Sequence, residues 1–360
     1  MIGRCQMSAD ILSNQYDDVR LRQAIGPRQA IGLDVGGTKI AGAVITEHGD
    51  IIDPLTVPTP TDSTSGVLHA LLGLISQLRH RNPAVEALGV GAAGLVEWPR
   101  GYIRWAPNNS YRDLPLRELL AEETGLPVIV DNDANAAAWA EARLGLGTTY
   151  DNIAFLTVGT GVGGGLLLDG QLYRGRSGLA AELGHLIVNP GGERCGCGNR
   201  GCLEAMASGT ALERLGRAAV TAHPTSQLAQ LAGGDPNNVT GHHILDATRS
   251  ADPVARSLFD EIGYWLGVGI ASLANIFELE LVVIGGGLIE TGDLLLRPAT
   301  ASLQSFAFAT TYRPVPPIRP GTFGSTAGVV GAAHLALTRS IHPTADQSAS
   351  LAAASHHKRH

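Results

Sequence analysis

Three of the chain's four cysteines lie within eight residues, in the stretch GGERCGCGNRGCLE at residues 191–204. Cys195, Cys197 and Cys202 follow the spacing C-x-C-x4-C, and His185 lies ten residues before the first of them. Protein zinc sites take four nitrogen or sulfur ligands, so one histidine and three cysteines make a complete structural set. A disulfide between Cys195 and Cys197 would close a very small, strained ring, and the C-x-x-C spacing of redox pairs is absent. The pattern therefore predicts a structural zinc site, with a surface or hydrogen-bonded histidine as the alternative for His185.

Two glutamates flank this predicted metal site. Glu182 lies three residues before His185, and Glu204 lies two residues after Cys202. If residues 182–185 are helical, Glu182 and His185 share a face. Either glutamate could be a solvated surface residue. Carboxylates on a metal-stiffened loop could instead orient several hydroxyls of one ligand, which suits a sugar.

A second polar cluster lies where an apolar strand runs into an alanine-rich helix, in VDNDANAAAWAE. Asp131, Asn132, Asp133 and Asn135 are good helix caps, but one cap is enough and four polar residues exceed that need. A helix N-terminus favours the ionised form of a carboxylate. Such a carboxylate can accept a proton during phosphoryl transfer. Asp133 is the candidate for that role, and a plain N-cap is the alternative.

Three glycine-rich turns are candidate phosphate sites, because glycine lets backbone N–H groups approach a phosphate closely. They are DVGGTK at residues 34–39, GTGVGGG at residues 159–165 and the turn that ends the apolar strand in LELVVIGGGLI. The first two match neither the P-loop nor the dinucleotide pattern, since a strand and not a helix follows each. Ordinary glycine-rich turns are the alternative for all three. Asp34, at a strand end, could help to hold the hydrated magnesium ion that accompanies ATP. The candidate nucleotide-binding residues are Asp34, Gly36, Gly37, Thr38, Lys39, Gly159, Thr160, Gly161, Gly163, Gly285, Gly286 and Gly287.

The elements that position these residues alternate between strands and helices, which predicts the α/β class. From Ala30 the chain reads as strand, glycine turn, strand, turn at residues 48–50 and strand, and the same pattern recurs about 120 residues later, from Asn152. This recurrence suggests an internal duplication in which each copy opens one lobe. Helices are predicted over HALLGLISQLRH, PLRELLAEETG, NAAAWAEARLG, ASGTALERLGRAAV, DPVARSLFDEIGYWLGVGIASLANIF and TAGVVGAAHLALTRS, whereas AHPTSQLAQLAGGDPNNVTG is predicted to be loop-rich.

The length of 360 residues exceeds what one hydrophobic core usually holds, so two lobes are expected. We expect residues 29–137 and the last helix, 326–340, to form a smaller α/β lobe, and residues 138–325 to form a larger one with the zinc site. Residues 1–28 are predicted to be a flexible extension, and residues 341–360 are predicted to be a disordered tail.

Composition excludes some classes of protein. The formal net charge of -7 gives no general attraction to nucleic acid or to anionic membranes. The first 28 residues contain no apolar core of a secretory signal, and no apolar run of about 18 residues exists that could span a bilayer. A cytoplasmic protein is therefore expected, in which clustered cysteines more often bind metal than form disulfides.

Seven segments, taken together, resemble the ROK family of sugar kinases and repressors in order and spacing. They are LDVGGTK, APN, NDANAAAWAE, VGTGVGGG, AELGHLIV, CGCGNRGCLE and VIGGGL. The resemblance runs from about Ala30 to Ser340, and E-x-G-H followed by C-x-C-G-x-x-G-C-x-E is its most specific part. Within that family the chain is most similar to the bacterial ATP-dependent glucokinases.

The resemblance implies a two-lobed actin-like (ribonuclease H-like) ATPase fold with the nucleotide in the cleft between the lobes. It implies that Asp133 is the general base towards the 6-hydroxyl of glucose, with ATP as the donor and Mg²⁺ as the accompanying ion. Polyphosphate-using relatives lack the cysteine cluster, which favours ATP. The resemblance also assigns the zinc ligands to His185, Cys195, Cys197 and Cys202. The predicted sugar-binding residues are Gly94, Asn108, Asn132, Asp133, Glu182, His185 and Glu204.

Two alternatives stay open. The same motifs serve kinases of N-acetylated hexosamines, such as N-acetylglucosamine or N-acetylmannosamine. The other is a sugar-binding regulator that lacks its DNA-binding domain, which the intact Asp34, both glycine loops and Asp133 disfavour; the about 29 residues before the first glycine loop are too few for the DNA-binding domain of the family's repressors. A homodimer or homotetramer is usual for the family.

Overall fold

A computed structural model of the protein describes residues 27–61, 63–106 and 112–341. The strands are β1 Gln29–Val35, β2 Lys39–Thr46, β3 Ile51–Pro58, β4 Ala87–Ala92, β5 Leu95–Glu97, β6 Tyr102–Trp105, β7 Arg112–Leu114, β8 Val128–Asn132, β9 Ile153–Val158, β10 Val162–Leu168, β11 Gln171–Leu172, β12 Leu281–Gly285 and β13 Ile318–Pro320. The helices are α1 Thr64–Arg81, α2 Leu116–Thr124, α3 Asp133–Arg143, α4 Leu203–Ala207, α5 Gly209–Ala222, α6 Gln227–Leu231, α7 Gly241–Arg249, α8 Pro253–Phe277, α9 Asp293–Phe306 and α10 Ala327–Ile341.

Two five-stranded sheets share one topology. The first has the order β3-β2-β1-β4-β8 and the second the order β11-β10-β9-β12-β13. In both, the first three strands in sequence order are antiparallel neighbours, and the two later strands run parallel to the first. This repetition confirms the strand–turn–strand pattern that the sequence predicted twice. The α/β class is therefore confirmed, and a small third sheet, β5-β6-β7, is an addition that the sequence did not predict.

Helices α3 and α10 lie between the two sheets and pack against each other. A Cβ atom on Gly32 of β1 or Gly89 of β4 would overlap the backbone of α10, so these glycines allow the helix to sit directly on the first sheet. On the other side, Gly165 of β10 lies against α3, where a Cβ atom would lie 2.7 Å from that of Ala138. The alanine-rich sequence of α3 thus reflects close packing on two sides.

Helix α8 is the long helix that the sequence predicted, with Pro253 in its first turn and Asp252 as its N-cap. It packs against α9, which the sequence analysis did not identify. The predicted loop after α5 was wrong in part, because it contains α6 and a 3₁₀ turn. Leu228 of α6 is fully buried, and its N–H donates to the Asp252 carboxylate (2.9 Å), so tertiary packing forms this short helix.

Among the helices of the described residues, none is long and apolar enough to cross a membrane. The predicted extension and tail lie almost wholly outside the described residues, as does Asn108. The division into lobes and the oligomeric state stay predictions.

Candidate active site

A cleft with a volume of about 540 Å³ brings together half of the residues of the predicted site. Its wall includes the corner between β8 and α3, the second glycine loop and the segment from Gly178 to His185. The predicted residues in this wall are Gly94, Asn132, Asp133, Gly159, Thr160, Gly161, Gly163, Glu182, His185, Cys197 and Glu204.

Asn132 and Asp133 have different roles at the start of α3. Asn132 is the N-cap, since its Oδ1 accepts the N–H groups of Ala134 (2.9 Å) and Asn135 (3.1 Å). Its Nδ2 donates to the carbonyl of Gly94 (3.2 Å), whose φ of 106° favours glycine. The Asp133 carboxylate accepts the backbone N–H of Ala134 at 2.8 Å. The capping alternative therefore holds for Asn132, and Asp133 faces the cleft with capacity to accept a proton.

Burial raises the pKa of Asp133 above its ordinary value, and hydrogen bonds from backbone N–H groups and Asn132 oppose this shift. Asp34 lies nearby, because its strand β1 pairs with β4, which in turn pairs with β8. Burial, and then the charge of Asp133, raise the pKa of Asp34 to about 7, although Lys39 lowers it. A cation bound near both carboxyl groups would favour their ionised forms, because it offsets the repulsion between the two negative charges.

The four predicted metal ligands form one cluster. The ligand atoms of His185, Cys195, Cys197 and Cys202 all lie within 4.8 Å of one another. Cys195 Sγ is 3.7 Å from His185 Nδ1, and the Sγ atoms of Cys197 and Cys202 are 3.6 Å apart. Tetrahedral zinc, with bonds of about 2.3 Å to sulfur and 2.0–2.1 Å to nitrogen, produces separations of this size. The three thiols are free cysteines, and none of them forms a disulfide within the part of the chain that the structure describes.

Short backbone contacts shape the loop that carries the cysteines. The N–H of Cys195 donates to the Asn199 carbonyl (2.8 Å), and the N–H of Gly198 donates back to the Cys195 carbonyl (3.0 Å). Burial raises the pKa of the Cys195 thiol to about 12. A bound cation would reverse this effect, since a metal-coordinated thiol is deprotonated. The donor set and its spacing therefore fit a zinc ion.

Glu204 connects the cysteine cluster to the second glycine loop. Its Oε2 accepts the N–H of Val162 (3.2 Å), and its Oε1 lies 3.6 Å from Cys195 Sγ. A Cβ atom on Gly161 would overlap Oε2, so the glycine allows this close approach. The sequence placed Glu204 beside the zinc ligands but did not predict its contact with the glycine loop.

Glu182 lies at the open side of the cleft, just before a 3₁₀ turn formed by Leu183–His185. Partial loss of hydration raises the pKa of Glu182; His185 lowers it, and the carboxylates of Asp133 and Glu204 add to the rise. The site thus holds three carboxylates within electrostatic reach of one another.

The second glycine loop is attached to the start of α5. The Gly159 carbonyl accepts the N–H of Gly209 (2.7 Å), and the Thr160 carbonyl accepts the Thr210 hydroxyl (2.8 Å). Sequence reasoning missed Gly209 and Thr210; their position at the start of the helix predicted over ASGTALERLGRAAV was the available signal. Gly163 lies in β10, where a Cβ atom would come within 2.9 Å of Thr157, so its lack of a side chain also serves packing.

A second cavity, of about 520 Å³, adjoins the first through Gly159 and Thr160. Gly287 lines it, together with residues of α5, α7 and the turn that follows β12. Gly285 is buried against Phe155, and Gly286 adopts a φ of 84° against the Val158 carbonyl. Of the third glycine turn, therefore, Gly287 faces the cavity, and the other two shape the turn.

The first glycine loop lies outside the walls of both cavities. Gly36 and Gly37 are partly buried, and Thr38 and Lys39 are exposed. The Gly36 carbonyl accepts a hydrogen bond from the Thr59 hydroxyl (2.8 Å), and the Gly36 N–H donates to the Lys39 carbonyl (3.1 Å). Of this loop, Asp34 is therefore the residue that the structure places close to Asp133.

The motifs of this cleft agree with the comparison to known families. The model of the ROK family matches residues 30–339. The chain belongs to the ROK family. The glucokinase of Streptomyces coelicolor is 42% identical over 308 residues, which cover 85% of this chain and 96% of the relative. An N-acetylmannosamine kinase of Yersinia pseudotuberculosis is 36% identical over 262 residues, covering 72% of this chain and 82% of the relative.

A crystal structure of a ROK family glucokinase from Streptomyces griseus, in complex with glucose and AMPPNP, superposes with a TM-score of 0.77. It is 41% identical in sequence, and the match covers 86% of this chain and 99% of that one. The fold is therefore the actin-like ATPase fold of the ROK sugar kinases, as the resemblance predicted.

Proposed function

We propose that this ROK protein is an ATP-dependent glucokinase, which transfers the γ-phosphoryl group of ATP to the 6-hydroxyl of glucose. One observation carries the proposal. A carboxylate at a helix start, Asp133, shares a cleft with carboxylates held against a Cys₃His cluster, and a second cavity continues from the same glycine loop. The likeness to glucokinases at 41–42% identity supports glucose as the acceptor.

The reaction needs positioning and charge stabilisation more than covalent chemistry by the protein. The 6-oxygen of glucose attacks the γ-phosphorus, the bond from that phosphorus to the β–γ bridging oxygen breaks, and ADP leaves. Asp133 accepts the hydroxyl proton. Its raised pKa brings the carboxylate closer to the range in which a general base is effective near neutral pH.

Sugar hydroxyls would be held by the polar groups around Asp133. Gly94, Asn132, Glu182, His185 and Glu204 line the cleft and offer carbonyl, amide, imidazole and carboxylate groups. Asn108 remains a predicted sugar ligand that lies outside the described residues. The N–H groups of Thr160 and Gly161 would face the phosphates, with the nucleoside in the second cavity, whereas those of Gly159 and Val162 are donated to the Gly161 carbonyl and to Glu204.

Two metal ions belong to this proposal. Asp34, beside Asp133, is the residue that would hold Mg²⁺ and its water shell on the phosphates, where the ion neutralises developing charge. His185, Cys195, Cys197 and Cys202 would hold zinc as a structural ion. Through His185 and Glu204 this cluster borders the sugar side of the cleft, so zinc would stiffen the wall that orients the sugar.

A panel of acceptors tests the proposal. ADP release is measured with ATP and with glucose, mannose, N-acetylglucosamine or N-acetylmannosamine, and kcat/KM is compared. We expect the highest kcat/KM for glucose, and loss of turnover when EDTA removes divalent ions. A higher kcat/KM for an N-acetylated sugar would instead support the hexosamine kinase, which the 36% identity to an N-acetylmannosamine kinase makes the second candidate. No ADP release with any sugar would support a sugar-binding regulator.

A further inference from the structure

A buried ion pair lies directly behind the cleft. Arg174, which follows β11, donates from Nε (2.8 Å) and Nη2 (2.6 Å) to Oδ2 of Asp131, near the end of β8. The side chains are only 8% and 2% exposed. The guanidinium therefore donates two hydrogen bonds to one carboxylate oxygen, and both side chains are almost fully shielded from solvent.

The other oxygen of Asp131 holds the corner that presents Asp133. Oδ1 accepts the backbone N–H of Asn132 (2.8 Å) and the side-chain amide of Asn135 (3.1 Å). Asn132, directly before Asp133, and Asn135, two positions after it, are thus tied to the same carboxylate. A change in the position of Asp131 would move the start of α3 and, with it, Asp133.

Arg174 also holds the segment 178–182, which forms another part of the cleft wall. Its carbonyl accepts the N–H groups of Gly178 (3.1 Å) and Ala180 (3.3 Å), and this turn leads directly to Glu182. Its guanidinium lies 4.1 Å from the centre of the Trp98 ring. The N–H of Trp98 donates to the Ser177 carbonyl (2.9 Å).

Gly178 shows how tightly these segments meet. It has a φ of 97°, and a Cβ atom there would lie 2.6 Å from the Val96 carbonyl oxygen. Residues 94–96 and 178–182 all line the cleft. The guanidinium thus joins the Asp131 corner to Trp98, and the backbone carbonyl of the same residue holds the turn at 178–180, so Arg174 connects three stretches of chain beside the predicted sugar position.

Stability alone does not explain this pair. Buried ion pairs lose much of their Coulomb energy to desolvation, and well-packed apolar residues often replace them without loss. A planar guanidinium with two donors and a stacking face nevertheless fixes orientation, which lysine or an apolar residue cannot do.

From these contacts we propose that Arg174 is a positioning residue, which sets the general base Asp133 against the sugar-binding segment 178–182. The proposal rests on the glucokinase function proposed above. Arg174 touches neither reacting atom; it acts through Asp131 on one side and through its own turn on the other.

Three variants separate positioning from a purely structural role. Arg174→Met leaves Asp131 buried without its cation and is expected to lower the unfolding temperature, or to prevent folding. The double variant Arg174→Met with Asp131→Asn removes both charges and is expected to recover most of that stability. Arg174→Lys keeps the charge but loses the two-donor fork. Arg297→Met, which removes an exposed pair with Asp293 on α9, is the matched control.

Each folded variant is measured for kcat, for KM of glucose and ATP, and for glucose affinity by calorimetry. We expect the stable double variant and Arg174→Lys to lose about 10- to 100-fold in kcat, because small displacements of a general base have effects of that size. Glucose affinity should fall by a smaller factor, and the control should match the wild type. A double variant with wild-type kcat would overturn the positioning role while leaving the glucokinase function intact. A wild type that phosphorylates none of the sugars would overturn the function itself, and the positioning role with it.

Discussion

At the scale of residues, Asp34 and Asp133 lie where ionisation of their carboxyl groups does not stabilise the folded protein in the absence of a bound cation. Burial raises the pKa of each, and Asp133 adds to the rise at Asp34. Carboxyl groups with strongly shifted pKa values are often found at functional sites, including sites that bind a cation. The proposed magnesium ion would remove the repulsion when ATP binds.

Asp34 should therefore make the fold less stable as pH rises. Its pKa in the folded chain, about 7, exceeds the ordinary value of 3.8. The stability that its protonated form contributes is complete below pH 3.8 and is lost as pH rises through about 7. We expect Asp34→Asn to raise the free energy of unfolding at pH 8 by about 2 kcal/mol, and by less at pH 5. Urea unfolding at both pH values, without nucleotide or Mg²⁺, measures this.

Asp246→Asn, at an exposed side chain of α7, is the control and should show no pH-dependent gain. If Asp34→Asn destabilises the protein at pH 8, or stabilises it equally at both pH values, the environment described for Asp34 is wrong. The same variant should lose activity, so that a gain in stability accompanies a loss of function.

At the scale of elements, the glycine-rich strand β10 does two things. Its first residues lie beside the loop that faces the cleft, and Gly165 allows α3 to pack directly on it. The position of Asp133, the first residue of α3, therefore depends on Gly165, which lies in the stretch 159–165 that the sequence analysis treated as a candidate phosphate loop.

Gly165→Ala tests this dependence. The new Cβ atom would lie 2.7 Å from the Ala138 Cβ and 3.0 Å from the Ala134 carbonyl oxygen, so α3 has to move. We expect a loss of about 1–3 kcal/mol in the free energy of unfolding and a lower kcat. Gly73→Ala is the control, since no atom lies within 4 Å of its Cβ position on α1. It should stabilise the protein by about 0.5–1 kcal/mol, because alanine favours a helix. Equal effects of the two substitutions would contradict the packing described here.

The loop that carries the cysteines provides a second test at this scale. Cys197→Ala removes one of the four ligands, and we expect loss of zinc, a lower unfolding temperature and weaker glucose binding together. Metal content by mass spectrometry, thermal unfolding and calorimetry measure the three effects. Cys5→Ala, far from the cluster in sequence, should retain the metal. A Cys197→Ala protein with full zinc content would show that the cluster is not the metal site.

Much of the element order could be predicted because its signals are local. The glycine turns after β1 and β9, the N-cap at Asn132 and the left-handed Gly125 after α2 all follow from residue type and spacing. Helices α6 and α9 and strands β5 to β7 could not, since their formation depends on burial against distant parts of the chain. Helix α6, for example, is stabilised by the burial of Leu228 and by the hydrogen bond from its N–H to Asp252.

At the scale of the whole molecule, the site arises where two similarly built sheets meet through α3 and α10. The sequence could name Asp133, the cysteine cluster and Glu204. It could not reveal that Glu204 binds the backbone of the second glycine loop, or that Arg174 pairs with Asp131. Such contacts join residues about 40 positions apart, and no local pattern records them.

The measurement that tests the central claim most directly compares wild type with Asp133→Asn. Initial rates of glucose 6-phosphate formation from glucose and ATP give kcat, and calorimetry gives glucose affinity. Loss of a general base should lower kcat by about 10²–10⁴-fold, while the isosteric amide keeps glucose affinity within a few-fold. An Asp133→Asn protein that forms glucose 6-phosphate at nearly the wild-type rate would contradict the assignment of Asp133 as the base of a glucokinase.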